Sequence, residues 1–103
     1  MMRHFKAEIF KALSHPMRIR ILDALREGEM TVGALQQVLG TEQPTVSQHL
    51  AALRAHDFVR AMRDGTSIRY SVADPAIWQL LDIARDMYER QLRERQALLE
   101  ETL

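Results

Sequence analysis

Gln43, Pro44, Thr45, Ser47, Gln48 and His49 stand together near the middle of a 103-residue chain. Amides, hydroxyls and an imidazole hydrogen-bond without fixed charge, which suits base-pair edges in a DNA major groove. Gln48 offers most, because its amide can meet adenine through two hydrogen bonds. Thr45 and Ser47 can reach bases or phosphates. Gln43 and Pro44 fall at a helix start, where free backbone N–H groups favour phosphate. His49 either touches the DNA backbone or bridges to a neighbouring helix, and the sequence leaves both open. Arg54, Arg60, Arg63 and Arg69 follow as candidate phosphate contacts. Their ordinary alternatives are a salt bridge from Arg54 to Asp57 and, for the other three, a charged edge strand that resists aggregation.

These residues need elements to hold them. Val46, Leu50 and Leu53 recur at spacings of four and three, so one face of a helix from about Thr41–Gln43 to Ala55 is apolar. Before it, Val32 to Leu39 reads as a shorter helix with Thr31 as N-cap, Leu35, Val38 and Leu39 inward, and Gly40 as its stop. The gap of three or four residues between them matches helix-turn-helix spacing. Upstream, Arg3 to Leu13 carries Phe5, Ile9, Phe10 and Leu13 at helical spacing. A second helix opens at Ser14 as cap with Pro16 in its first turn, buries Met17, Ile21, Leu22 and Leu25, and ends at Gly28. Ile19 lies off that stripe and faces another element; Arg18 and Arg20 serve structure. Glu29 to Thr31 is too short for a free-standing strand and needs a partner elsewhere.

Phe58 to Arg63 and Thr66 to Val72 read as a β-hairpin turning at Asp64-Gly65, with Ile68, Tyr70 and Val72 alternating inward. A two-residue turn there sets Arg60 opposite Arg69, a like-charge pair that a phosphate would relieve. Asp74-Pro75 opens a last helix whose stripe is Ile77, Leu80, Leu81, Ala84, Met87, Tyr88 and Leu92, extended by Leu98 and Leu99. At ~1.5 Å per residue it reaches on the order of 40 Å, more than one small domain can cover. Part of its apolar face is therefore expected to pair with a second copy, with Trp78 and Tyr88 at the seam. Asp82, Asp86 and Glu89, interleaved with Arg85, Arg90 and Arg93, read as a solvated, salt-bridged face.

The totals set bounds. The chain is one domain, 1–103, ending in a dimerisation helix at about 74–100. No apolar run is long enough to span a membrane, and the N-terminus lacks a secretory pattern, so the expected location is cytoplasmic. With no cysteine, disulfides, thiolate metal sites and thiol redox sensing are excluded. Net charge is zero, but residues 1–73 hold ten Lys/Arg against seven Asp/Glu, a net +3, and residues 74–103 hold four against seven, a net −3. That asymmetry separates two jobs. No nucleophile–base set or phosphate-binding glycine loop is present, so the chain is not read as an enzyme. His4, His15 and His56 stand on separate elements and read as packing or surface residues; an unfamiliar metal site would best pair His4 with last-helix carboxylates across a dimer. Met17, Met30, Met62 and Met87 read as core filler.

The order helix, helix, short strand, helix, helix, hairpin, long helix resembles the ArsR/SmtB family of winged helix-turn-helix repressors. The likeness rests on Leu13-Ser14-His15-Pro16-Met17-Arg18-Ile19-Arg20-Ile21-Leu22, on Thr45-Val46-Ser47-Gln48-His49-Leu50 with Leu53-Arg54, and on Arg63-Asp64-Gly65 with Tyr70. It implies a mainly α fold with a β-hairpin wing. It also implies a homodimer through the first and last helices, which adds Phe5 and Ile9 to the seam. The function implied is repression: two reading helices about 34 Å apart on an imperfect palindrome in double-stranded DNA. Two departures stand out. The family's Cys motif is replaced by Glu29-Met30-Thr31-Val32-Gly33-Ala34-Leu35, and the last helix has no His, so neither usual metal site is expected and no cofactor is implied. Thr66 joins the DNA contacts where relatives often carry a basic residue. The effector is unknown. The alternatives are the same fold as a protein-interaction module without DNA affinity, or a metal-responsive repressor with an unfamiliar site.

Overall fold

The computed structural model describes residues 1–102. Helix α1 (Met2–Ala12) leads to α2 (Pro16–Ala24), which tightens into a 3-10 turn at Leu25–Glu27. A short strand β1 (Met30–Thr31) precedes α3 (Val32–Leu39) and α4 (Gln43–Ala55). Strands β2 (Val59–Asp64) and β3 (Ser67–Val72) form the hairpin, and α5 (Ala76–Thr102) closes the chain. The sheet is antiparallel in the order β1-β3-β2, so β1 finds its partner on the hairpin.

Local chemistry sets the boundaries. Thr31 Oγ1 accepts from Ala34 N at 3.1 Å and caps α3, as its position predicts. Gly40 ends α3 at φ +64°, a left-handed conformation that glycine adopts without Cβ strain. Asp74 Oδ1 accepts from Ala76 N at 3.0 Å and opens α5. Ser14 departs from expectation: its Oγ donates to Lys11 O at 2.6 Å, which closes α1, and His15 is the N-cap of α2. The end of α4 carries a signal not visible in the sequence. Asp57 takes φ +61°, and Phe58 N donates back to Leu53 O at 2.9 Å, a left-handed stop made without glycine.

The core is apolar throughout. Ile21, Leu22 and Leu25 from α2 and the turn after it meet Leu35 of α3 and Val46, Leu50 and Leu53 of α4, all essentially inaccessible. Each such side chain contributes roughly 1.5–3 kcal/mol by leaving water. Val38 is 57% exposed, because Leu35 and Leu39 already fill the α3 face toward the core. Met17 and Met30 do pack on the core, whereas Met62 on the hairpin and Met87 on α5 are exposed.

The hairpin register is shifted from the sequence expectation. Asp64 pairs with Ser67, so the turn residues are Gly65 and Thr66, not Asp64 and Gly65. Gly65 takes φ +63° and no non-glycine residue of the hairpin has positive φ. A turn needing positive φ only at its first central position therefore fits, and glycine occupies that position. One consequence is electrostatic: Arg60 faces Ser71 and Arg69 faces Met62, so the expected arginine pair does not exist.

Candidate nucleic-acid interface

Helix α4 is two-sided. Val46, Leu50 and Leu53 are buried, and the opposite row, at spacings of four, three and four, is Pro44, Gln48, Ala51 and Ala55, all exposed. Thr45 flanks this row on one side and Ser47 and Arg54 on the other. The three-residue turn Gly40–Glu42 sets α4 against α3, and Arg20 braces that corner by donating to Leu39 O at 3.0 Å. Ala51 is a member of this face that sequence reasoning missed. An exposed alanine beside Gln48 lets a helix approach closely, and its methyl can touch thymine. The available signal was its place three residues after Gln48.

His49 is not free. Its Nδ1 accepts from Arg18 Nε at 3.2 Å, and the same guanidinium donates through Nη1 to Ala12 O at 3.1 Å. Of the two roles open to His49, the structure has the bridge between helices. Burial, followed by the positive charges of Arg18 and His15, holds its pKa below the ordinary histidine value.

The wing arginines divide by face. On β2 and β3, Arg63 lies on the surface shared with Ile68 and Tyr70, and Tyr70 lines a shallow cleft with Ser47, Ala51 and Arg54 of α4. Arg63 therefore stands on the α4 side. Arg60 and Arg69 lie on the other surface. Arg69 is engaged within the protein, 3.6 Å from Asp64 and 4.0 Å from Glu29. Among the described residues, Arg54, Arg60 and Arg63 have no ion-pair or side-chain hydrogen-bond partner, and Arg54 does not bridge to Asp57. Thr66 is exposed in the turn.

Away from α4, the seam residues also divide. Ile77 is 7% exposed and belongs to the protomer's own core, with Leu80 and Leu81 partly buried against it. Trp78 turns inward as well: Nε1 donates to Leu22 O at 2.8 Å, and Arg26 sits 6.0 Å from its ring. Arg26 also holds Asp82 at 2.8 Å and Asp23 at 3.0 Å, so Asp82 fastens α5 to the end of α2 instead of joining a solvated face. That contact lowers the Asp82 pKa, chiefly through the hydrogen bond from Arg26. Phe5, Phe10, Ala84, Met87, Tyr88 and Leu92 remain exposed, and Ile9 is half-buried. Among the described residues no three His, Asp or Glu side chains converge as metal ligands could. No helix among the described residues is long and apolar enough to cross a membrane.

A short helix, a glycine turn, a second helix with a free polar face and an adjoining hairpin define the winged helix-turn-helix class of DNA-binding proteins. A helix-turn-helix domain model matches residues 13–60. The chain is 46% identical over 97 residues to the HTH-type transcriptional regulator Rv0081 of Mycobacterium tuberculosis, covering 93% of this chain and 85% of that protein. The crystal structure of Rv0081 superposes with a TM-score of 0.82 at 44% identity, covering 91% of this chain and 95% of that one. A biofilm growth-associated repressor of Xylella fastidiosa is 40% identical over 76 residues, 74% of this chain and 67% of its own. The homodimeric winged helix-turn-helix fragment of Mb0332 from Mycobacterium bovis, a possible ArsR-family regulator, matches with a TM-score of 0.79 at 30% identity, covering 90% of this chain and 86% of that one. The chain belongs to the ArsR/SmtB family of winged helix-turn-helix transcriptional regulators. Its relatives are regulators, not enzymes.

Proposed function

We propose that the chain is a homodimeric, sequence-specific repressor that reads double-stranded DNA with α4. The observation that carries this is the free outer row of α4 on a helix whose inner row is fully buried. Gln48 reads a base edge, Thr45 and Ser47 reach bases or sugars beside it, and Ala51 allows close approach. Helix α4 starts without a side-chain cap, so the first-turn N–H groups of Gln43 and Thr45 remain available to a phosphate, with Pro44, which has no N–H, between them. Arg54 and Arg63 grip phosphate on the α4 side. Arg60, Arg69 and Thr66 contribute less, Arg69 because Asp64 and Glu29 compete for it.

The dimer forms through α1 and α5, with Phe5, Ile9, Leu80, Leu81, Ala84, Met87, Tyr88 and Leu92 at the seam and Ile77 supporting it from the core. Two α4 helices then enter successive major grooves of an imperfect palindrome, about 34 Å apart. The domain spans 1–103, with about 74–100 as the dimerisation helix. A repressor of this kind works where the chromosome is, in the cytoplasm.

Selection of duplexes from a random pool, followed by a gel shift, tests the proposal. A recovered palindromic motif bound by a dimer supports it. Failure to enrich any sequence, with binding that tracks only salt, overturns it in favour of a protein-interaction module. The zero net charge of the chain and the acidic last helix are the features that favour that second reading.

A further inference from the structure

We propose that Arg18 is a positioning residue for the reading helix, clamping α4 through His49, and that protonation of His49 opens the clamp. The inference rests on α4 being the reader. It also goes further, because it makes DNA selectivity depend on pH.

The geometry is that of one guanidinium tying three elements. Arg18, in the first turns of α2, donates to the carbonyl of Ala12 at the end of α1 and to Nδ1 of His49 in the middle of α4. His49 directly follows Gln48, so a change in how it sits against α2 changes where Gln48 points. Nδ1 can accept only when it carries no proton, which places the ring proton on Nε2. A protonated ring has two N–H donors and no acceptor. It would then aim a donor at the Arg18 Nε–H and add a positive charge beside a guanidinium, so the contact turns from attraction to repulsion.

The surroundings favour the neutral ring. From α2 the groups facing His49 are Arg18 and His15, whose ring lies 5.8 Å away. Helix α1 presents the Ala12 carbonyl to Arg18. Helix α3 contains no ionisable residue, and α4 itself has only Arg54 besides His49. No carboxylate among the described residues pairs with His49 to hold a charged ring in place. With the folded pKa below the ordinary 6.5, the unfolded chain binds the proton more readily. This group's contribution to stability is therefore present above pH 6.5 and is lost as pH falls toward the folded value.

Opening the clamp does not remove binding. A protonated His49 adds positive charge near a polyanion, which strengthens sequence-independent attraction. The signature is a fall in discrimination, not in total affinity. The test uses a duplex that the chain selects from a random pool and a scrambled copy, at constant salt, at about pH 7.5 and about pH 5.5, across the histidine range. The native chain should lose about fivefold or more of its preference for the selected duplex at the lower pH, a modest coupling between sites. His49→Gln offers Arg18 a neutral acceptor at both pH values, so its preference should be the same at both. Arg18→Lys cannot hold Ala12 and His49 together, and in that variant the His49 ring should titrate at a higher pH by NMR.

If the His49→Gln preference falls with pH as the native one does, or if Arg18→Lys leaves the His49 titration where it was, the clamp is overturned. Gln48→Ala distinguishes the deeper failure. Should Gln48→Ala leave discrimination intact, α4 is not the reader and both proposals fall. Should it reduce discrimination at one base pair while the His49→Gln preference still follows pH, only the clamp falls.

Discussion

Helices α4 and α5 each bury one row of side chains and expose another, and the exposed rows have opposite characters. On α4 the outer row, Pro44, Gln48, Ala51 and Ala55, is slim, with polar Thr45 and Ser47 and an Arg54 that has no ion-pair partner among the described residues at its flanks. On α5 the outer surface is apolar through Ile83, Met87, Tyr88 and Leu92, with acidic residues spaced along the helix from Asp82 to Glu101. A slim surface carrying an amide and hydroxyls beside cations fits an aqueous, anionic groove. A run of exposed apolar side chains on a helix of 27 residues fits another protein surface. The two helices thus divide reading from assembly, and the opposite net charges of the two parts of the sequence express the same division.

The largest expected effect comes from breaking the α5 side. Met87→Asp with Leu92→Asp should yield a monomer by sedimentation, while the selected duplex is bound no better than a random one, a loss on the order of 10³. A monomeric double variant that kept full discrimination would show that α5 has no part in reading. Next, inner and outer rows of α4 can be set against each other. Leu50→Ala should cost about 2–5 kcal/mol in denaturant unfolding by opening a core cavity. Ala51→Glu should change stability by roughly 0.5 kcal/mol or less, yet weaken DNA, because a carboxylate then faces the duplex. Third, Gln48→Ala should cost ~1–3 kcal/mol at one base pair of the selected duplex and little elsewhere.

The smallest and sharpest contrast lies in the wing. Arg63→Ala should weaken all duplexes alike and reduce the salt slope by about 0.9. Arg69→Ala should change it less, since Asp64 and Glu29 already compete for that guanidinium. Equal slopes for the two variants would mean that the face of the hairpin does not matter.

Much of this architecture was legible from periodicity. The bounds of α3 and α4, the Thr31 cap, the Gly40 stop and the partnered strand at Met30–Thr31 follow from residues that act on their immediate neighbours. Local rules failed where two solutions were locally equivalent. Asp64-Gly65 and Gly65-Thr66 both place glycine in a two-residue turn, and only cross-strand pairing selects between them. Val38 lies at inward spacing on α3, yet the core offered no room. The roles of His49, Trp78 and Asp82 depend on partners 31, 56 and 56 residues away, which no helical wheel contains. For the candidate site, residue types on α4 were readable. Which arginines remained free was not, because that depends on carboxylates brought close only by the fold.

Thr31 holds two posts: it pairs with Arg69 in the sheet and it caps α3. The wing is therefore riveted to the helix pair rather than hung from a flexible strap. Like the jaws of a caliper set before use, the hairpin is fastened to α3, the helix that precedes α4, with no duplex between them. Little ordering entropy is then lost on engagement, and a target whose grooves do not match that setting must itself deform to be held.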